Sequence, residues 1–112
     1  MKIDAGTDEI FCDLSDRVLT VTLNRPQARN ALSMELMFAL RRILTEYGDH
    51  KDVGALVVTG AGSAFCAGGD VKRMAARKEN DQTAEENFQV MVARHRETAG
   101  AIRALRVPTV AA

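Results

Sequence analysis

The sequence has no tryptophan, one tyrosine, four phenylalanines and only two prolines among its 112 residues. So few aromatics leave the core to aliphatic side chains. Leucine, isoleucine, valine and phenylalanine together make about a quarter of the chain, above the roughly 20% that marks disordered sequences. Cysteine is scarce too. Cys12 and Cys66 belong to no CxxC pair and no Cys/His cluster. A disulfide framework or a metal site is therefore not expected, and a reducing cytoplasm is the simpler setting. Nor is there charge of one sign: 15 Lys+Arg balance 15 Asp+Glu, for a net charge of +0. A nucleic-acid binder held by phosphate contacts needs a basic excess, so that partner class is excluded. No apolar run approaches the ~20 residues of a membrane helix. The opening residues, Met1-Lys2-Ile3-Asp4-Ala5-Gly6-Thr7-Asp8-Glu9, are polar and acidic, unlike a secretory leader. What remains is a soluble, cytoplasmic α/β chain with enough apolar residues for one modest core.

Hydrophobic patterning supplies the elements. Ile10-Phe11-Cys12-Asp13-Leu14 and Val18-Leu19-Thr20-Val21-Thr22-Leu23 read as strands, and Ser15-Asp16-Arg17 between them is short enough for a hairpin. Leu19, Val21 and Leu23 form one wholly apolar face. Pro26 ends this run because it has no N–H for a ladder. Ser33 is a good helix N-cap, and Glu35 suits the positive end of the helix dipole. Leu36, Leu40, Ile43, Leu44 and Tyr47 then follow at helical spacing, with Gly48 as the stop. Residues 53–59 form a continuous apolar run, the pattern of a strand covered on both faces. Strand, helix and strand in this order predict a βαβ crossover.

A glycine-rich loop over 60–70 follows, then a short helix over 71–78, a polar linker over 79–82 and a long helix over 83–105. The long helix carries an apolar stripe through Phe88, Met91 or Val92, His95, Ala99, Ile102 and Leu105, which places His95 in the core. His50 falls in a polar turn. Met34, Met37, Met74 and Met91 read as core or interface filler. A last strand-like run begins at Val107-Pro108. The expected architecture is a β-hairpin followed by αβ units, with a predominantly parallel sheet and helices packed alongside.

The loop Gly60-Ala61-Gly62-Ser63-Ala64-Phe65-Cys66-Ala67-Gly68-Gly69-Asp70 holds the chemistry. It is not a dinucleotide loop, since GxGxxG needs glycine where Phe65 stands, and no GK[ST] follows to make a P-loop. A small nucleotide-binding domain therefore rests only on element order and glycines. A backbone anion site fits better: Gly69 has no side chain, so its N–H can approach a carbonyl oxygen closely. Asp70 would cap the helix beginning at Val71. A tight turn with no ligand stays open on composition alone.

Two separated motifs carry a resemblance. Asn24-Arg25-Pro26 with Asn30-Ala31-Leu32-Ser33, and Phe65-Cys66-Ala67-Gly68-Gly69-Asp70, are similar to the LNRP…NAL and F-x-(A/S)-G-x-D patterns of the enoyl-CoA hydratase/isomerase (crotonase) family. The likeness runs from Val18 to the closing Val107-Pro108-Thr109-Val110-Ala111-Ala112. It implies a crotonase-like fold in ββα/βαβ layers and acyl-CoA chemistry, with a CoA thioester as substrate and no prosthetic group. Two peptide N–H groups would hold the thioester oxygen and stabilise an enolate, one of them from Gly69. Cys66, Ala67, Gly68, Asp70 and Val71 resemble the stretch that grips CoA through its backbone. Gln27 and Ala28 resemble the other wall of the CoA groove. Arg25 and Lys72 are phosphate or pantetheine neighbours by the same likeness, with an ordinary solvated charge as the alternative.

The resemblance also implies elements C-terminal to Ala112: a second glycine-rich motif with the second oxyanion N–H, and the paired glutamates of the hydratases. Residues 1–112 are then expected to be the N-terminal part of the domain, stopping in a strand, with the second half of the fold missing. No residue here is assigned as acid or base. Cys66 and Asp70 read as packing and capping residues rather than substitutes. The complete protein would assemble as a trimer or hexamer. The competing reading is a non-catalytic CoA-binding or assembly module that keeps only the first half of the fold.

Overall fold

A computed structural model describes residues 1–70 and 84–112. Two sequence expectations, the short helix over 71–78 and the linker over 79–82, lie outside them. So do Val71, Lys72 and Met74.

The strand runs pair as their alternation requires. β1 (Lys2–Ile3), β2 (Ile10–Ser15), β3 (Val18–Leu23), β4 (Ala55–Gly60) and β5 (Thr109–Ala111) form one sheet in the order β1-β2-β3-β4-β5. Ser15 pairs with Val18, leaving a two-residue turn in which Asp16 and Arg17 have φ of 52° and 66°. Two positive φ values match the twist of the flanking strands, which is why so short a loop closes the hairpin. β3 and β4 then run parallel, joined through the helix α1 (Met34–Tyr47), as the βαβ pattern predicts. β5 adds parallel to β4 after α2 (Ala84–Arg103).

Three details differ from expectation. The sheet is mixed rather than predominantly parallel, with antiparallel ladders β1/β2 and β2/β3 balancing the parallel β3/β4 and β4/β5. β1 arises from residues whose polarity gave no strand signal. In β4, Leu56 and Val58 are buried while Ala55 and Val57 are only partly covered. The continuous apolar run therefore has one dry face, not two.

That dry face is the core. Ile10 and Cys12 of β2, Leu19, Val21 and Leu23 of β3, and Leu56 and Val58 of β4 meet Leu36, Ala39, Leu40, Ile43 and Leu44 of α1. The Ser33 hydroxyl accepts the Leu36 N–H at 3.0 Å, as an N-cap should. Gly48 follows α1 in right-handed conformation, so its use is space: a Cβ there would stand 2.5 Å from Leu105 Cδ2. α2 packs on this layer through its C-terminal half, where Thr98 is buried and Ala101 and Ile102 lean on the core, with Leu105 just past its end doing the same. His95 and Ala99 are exposed, as are Phe88 and Met91. The apolar stripe is thus misplaced around His95, which stands in solvent. His50 is exposed in its turn beside Tyr47, with ring centroids 5.9 Å apart. Met34 and Met37 are half-buried on α1.

Candidate functional site

Two loops leave the same end of the parallel pair. The first follows β3 through a single 3-10 turn, Pro26–Ala28, in which Pro26 supplies the fixed φ of a first helical residue. Gln27 is exposed on this turn and Ala28 half-buried. Arg29 and Asn30 then take left-handed φ values of 50° and 58° in succession. Asparagine tolerates that region and arginine does so less readily. The reversal lays residues 29–32 alongside the second loop, which follows β4.

Asn30 ties the two together. Its side chain is fully buried and all of its hydrogen-bonding directions but one are used. The amide nitrogen donates to Ala61 O at 2.9 Å and Ala64 O at 2.8 Å, and the amide oxygen accepts the Arg25 N–H at 2.7 Å. Gly60 makes room for this, since a Cβ there would meet the Asn30 nitrogen at 2.7 Å. At Gly62, φ is 79° and a Cβ would reach within 3.0 Å of Pro26. Glycine is needed there on both counts.

Further along, the loops pair as a fragment of parallel ladder. Ala67 N–H donates to Arg29 O at 2.9 Å, Leu32 N–H donates to Gly68 O at 2.7 Å, and Leu32 bridges Gly69. A trans peptide holds its C=O and N–H in opposite directions. The Gly68 carbonyl faces Leu32, so the Gly69 N–H of the same peptide plane faces away from the first loop. Gly69 is exposed, and among the described residues none accepts that N–H. Gly68 has φ of 91° with open space where a Cβ would be, so glycine serves conformation there. Its N–H approaches Cys66 Sγ at 3.4 Å. Cys66 is half-buried and Ala67 exposed.

A polar cluster sits behind this ladder. The Arg25 side chain is only 15% exposed, so it is not an ordinary solvated charge. It lies between Glu9 (Nε to Oε1, 3.2 Å) and Asp70 (Nη1 to Oδ2, 3.3 Å), and Nη1 also donates to Ala31 O at 2.7 Å. Glu9 in turn accepts the Ser33 hydroxyl, the N-cap of α1. Three segments distant in sequence thereby meet: the start of β2, the first loop and the glycine loop. Sequence reading missed Glu9 entirely, since nothing local distinguishes it from the acids around it. Asn30 was visible as part of a motif, and its type at a chain reversal was the available signal.

Of the residues singled out in sequence, Arg25, Ala67, Gly68, Gly69 and Asp70 come together here, with Ala28 and Gln27 on the turn beside Gly62. Two hollows among the described residues lie elsewhere. One of about 550 Å³ runs along β1–β3 past Phe11 and Thr22, and one of about 380 Å³ sits by Phe38 and Arg41 on α1. Neither is lined by either loop.

The family model for enoyl-CoA hydratase/isomerase matches residues 18–112. A probable enoyl-CoA hydratase, echA8 of Mycobacterium tuberculosis, is 40% identical over 105 residues, covering 94% of this chain and 38% of the relative. A putative enoyl-CoA hydratase/isomerase of Bacillus subtilis, YngF, is 37% identical over 108 residues, 96% of this chain and 39% of its own length. Among solved structures, Pseudomonas aeruginosa AtuE superposes with a TM-score of 0.81 at 35% identity, over 93% of this chain and 39% of that one. The enoyl-CoA hydratase of Mycobacterium smegmatis gives 0.78 at 34% identity, over 94% and 39%. The chain thus spans about two fifths of the length of the relatives it matches. Its α/β architecture is that of part of a crotonase fold. With both loop motifs in one ladder and the family model covering them, the chain belongs to the enoyl-CoA hydratase/isomerase family.

Proposed function

We propose that this chain serves an acyl-CoA enzyme, an enoyl-CoA hydratase or isomerase, in which Gly69 donates its N–H to the thioester oxygen of a CoA substrate. One observation carries the reading: Gly69 is exposed, its N–H has no acceptor among the described residues, and the Gly68–Leu32 hydrogen bond turns that N–H away from the first loop. A fixed peptide N–H aimed at developing negative charge stabilises an enolate without reorganising when the charge appears. Polarising the C=O acidifies the adjacent carbon and makes the conjugated double bond accept water. Both hydration and double-bond migration use that step. Exposed Ala67 and half-buried Gly68, with Gln27 and Ala28 on the first loop's turn, form the surface along which CoA would lie. Cys66 packs against the core beside it. The reading needs no prosthetic group. On this reading the protein acts in the cytoplasm as a homotrimer or hexamer.

Turnover of crotonyl-CoA, followed by loss of absorbance of the unsaturated thioester, tests the assignment. Gly69→Pro removes the N–H, whereas Gly69→Ala keeps it and adds only a methyl group. The proline variant should lose about 10²–10³-fold in kcat, the cost of one oxyanion donor, and the alanine variant much less. Equal losses in both would mean that crowding, not the N–H, matters. A protein that binds CoA but turns over no enoyl thioester would favour the non-catalytic module instead.

A further inference from the structure

We infer that Arg25 is a positioning residue for the Gly69 N–H, acting through Asp70 and Ala31 rather than by touching the ligand; its activity readout rests on the acyl-CoA reading above. Gly69 has no side chain, and its N–H has no acceptor among the described residues, so nothing at the residue itself fixes where that N–H points. Its direction is set by its flanks. On one side, Gly68 O is held by the Leu32 N–H at 2.7 Å. On the other, Asp70 lies 3.3 Å from Arg25 Nη1. The same nitrogen donates to Ala31 O at 2.7 Å, one residue before Leu32. One guanidinium therefore grips both sides of the Leu32–Gly69 bridge, next to each of the paired residues. Glu9, 3.2 Å from Nε, holds the guanidinium from behind and is itself bonded to the Ser33 hydroxyl. The ladder fragment is thereby anchored to the start of α1.

The chemistry needs arginine. A planar guanidinium serves several acceptors in fixed directions, whereas a lysine ammonium is a point charge on a flexible stem. With 15% exposure, two hydrogen bonds from Nη1 and Glu9 Oε1 in an ion pair 3.2 Å from Nε, the Arg25 side chain is held inside the protein. On this inference Arg25 supports the site from behind, where the family resemblance implies a neighbour of the CoA phosphates or pantetheine.

The test compares Arg25→Lys, Arg25→Met and Asp70→Asn in the active protein, with crotonyl-CoA as substrate. Misplacing a reacting group by about 1 Å costs on the order of 10²-fold in rate. Arg25→Met should therefore lower kcat about 10–10²-fold, with KM changed less than about threefold, since loss of kcat alone marks a contact that matters only in the transition state. Arg25→Lys should recover little. Asp70→Asn should share part of the loss, and the double variant should lose less than the two single losses combined, because both changes break the Arg25–Asp70 contact. The Gly69 amide cross-peak in a ¹H–¹⁵N spectrum should move in each variant. If Arg25→Met does not fold, Asp70→Asn decides, since it leaves Arg25 held by Glu9 and Ala31. A rise in KM with kcat kept would overturn the inference and restore direct contact with CoA. So would unchanged kcat in Arg25→Lys and Asp70→Asn while Gly69→Pro is inactive. If the wild-type protein turns over no enoyl-CoA, it is the functional reading that fails. The Gly69 cross-peak then decides positioning by itself, and a peak unmoved in all variants overturns it.

Discussion

The two described helices invert the usual relation between length and burial. α1, with 14 residues, has five of them buried against the sheet: Leu36, Ala39, Leu40, Ile43 and Leu44. α2 has 20 residues, yet Thr98 is its one buried residue among those described, and Phe88 and Met91 stand exposed at 56% and 39%. α1 lies over the sheet along its length, whereas α2 reaches the described core through its C-terminal residues. Burial, not helical periodicity, is what converts an apolar stripe into stability.

The comparison breaks if truncation costs the same on both helices. Leu36 is fully buried under α1, so Leu36→Ala should destabilise the protein by about 2–5 kcal/mol. Phe88→Ala removes more atoms from α2 and should change stability by less than about 0.5 kcal/mol. Chemical denaturation of both variants reads the difference. A cost at Phe88 matching that at Leu36 would mean that the exposed half of α2 is covered in solution.

Dryness under α1 gives a second contrast, this time in pH. Burial pushes the Cys12 thiol up to about 11, with the Asp13 carboxylate adding to the rise and Arg42 of α1 opposing it. In the unfolded chain a thiol ionises near pH 8.5. Below that, both states hold the proton and the shift contributes no pH dependence. Between about pH 9 and 11 only the unfolded state releases it, so stability should fall as pH rises, by about 2–3 kcal/mol over the window. In Cys12→Ala that part of the decline should vanish. An identical decline in wild type and variant would show that water reaches beneath α1.

These contrasts explain which parts were legible in sequence. α1 was readable because Ser33, Glu35 and the apolar spacing all agree on one face, and that face met the sheet. α2 offered several apolar rows: Phe88, Val90, Met91 and Val92 crowd its first turns. Which row is buried depends on where α1 stands, and no local signal says so. Hence His95 was placed in the core and Thr98 was not. The hairpin and β4 were plain from alternation and from the apolar run, but β1 is too short for any period to show. At the site, the glycine loop announced itself by composition and the two motifs by their resemblance. The cluster joining Glu9, Arg25, Asp70 and Ser33 did not, because its members are drawn together only by the reversal at Arg29–Asn30.

Capping sharpens the picture of α1 by a smaller amount. The Ser33 hydroxyl both accepts from Leu36 N–H and donates to Glu9. Ser33→Ala should cost about 1–2 kcal/mol, toward the upper part of the range for a lost cap because a second partner goes with it. Ser33→Thr keeps both bonds and should recover most of that loss in a thermal melt. Should Ala and Thr behave alike, the cap would be irrelevant and α1 would be held by packing alone.

The smallest expected effect lies where the two helices meet. Arg41 Nη1 and Glu97 Oε2 are 2.9 Å apart, with the two side chains 34% and 50% exposed. At that exposure solvent and salt screen most of the attraction, and such pairs contribute about 0–1 kcal/mol. Arg41 also lies 5.7 Å from the centre of the Phe38 ring, so its truncation would disturb a second contact. Glu97→Gln is therefore the cleaner change, since it removes the charge and keeps the shape. It should cost less than about 1 kcal/mol at low ionic strength and still less in 0.5 M salt. If α2 were fastened mainly by its ion pair, the loss would be larger and would shrink steeply as salt is added. A small, salt-insensitive loss would leave the attachment to Thr98, Ala101, Ile102 and Leu105, the same apolar logic that holds α1, applied over a quarter of the helix instead of its whole length.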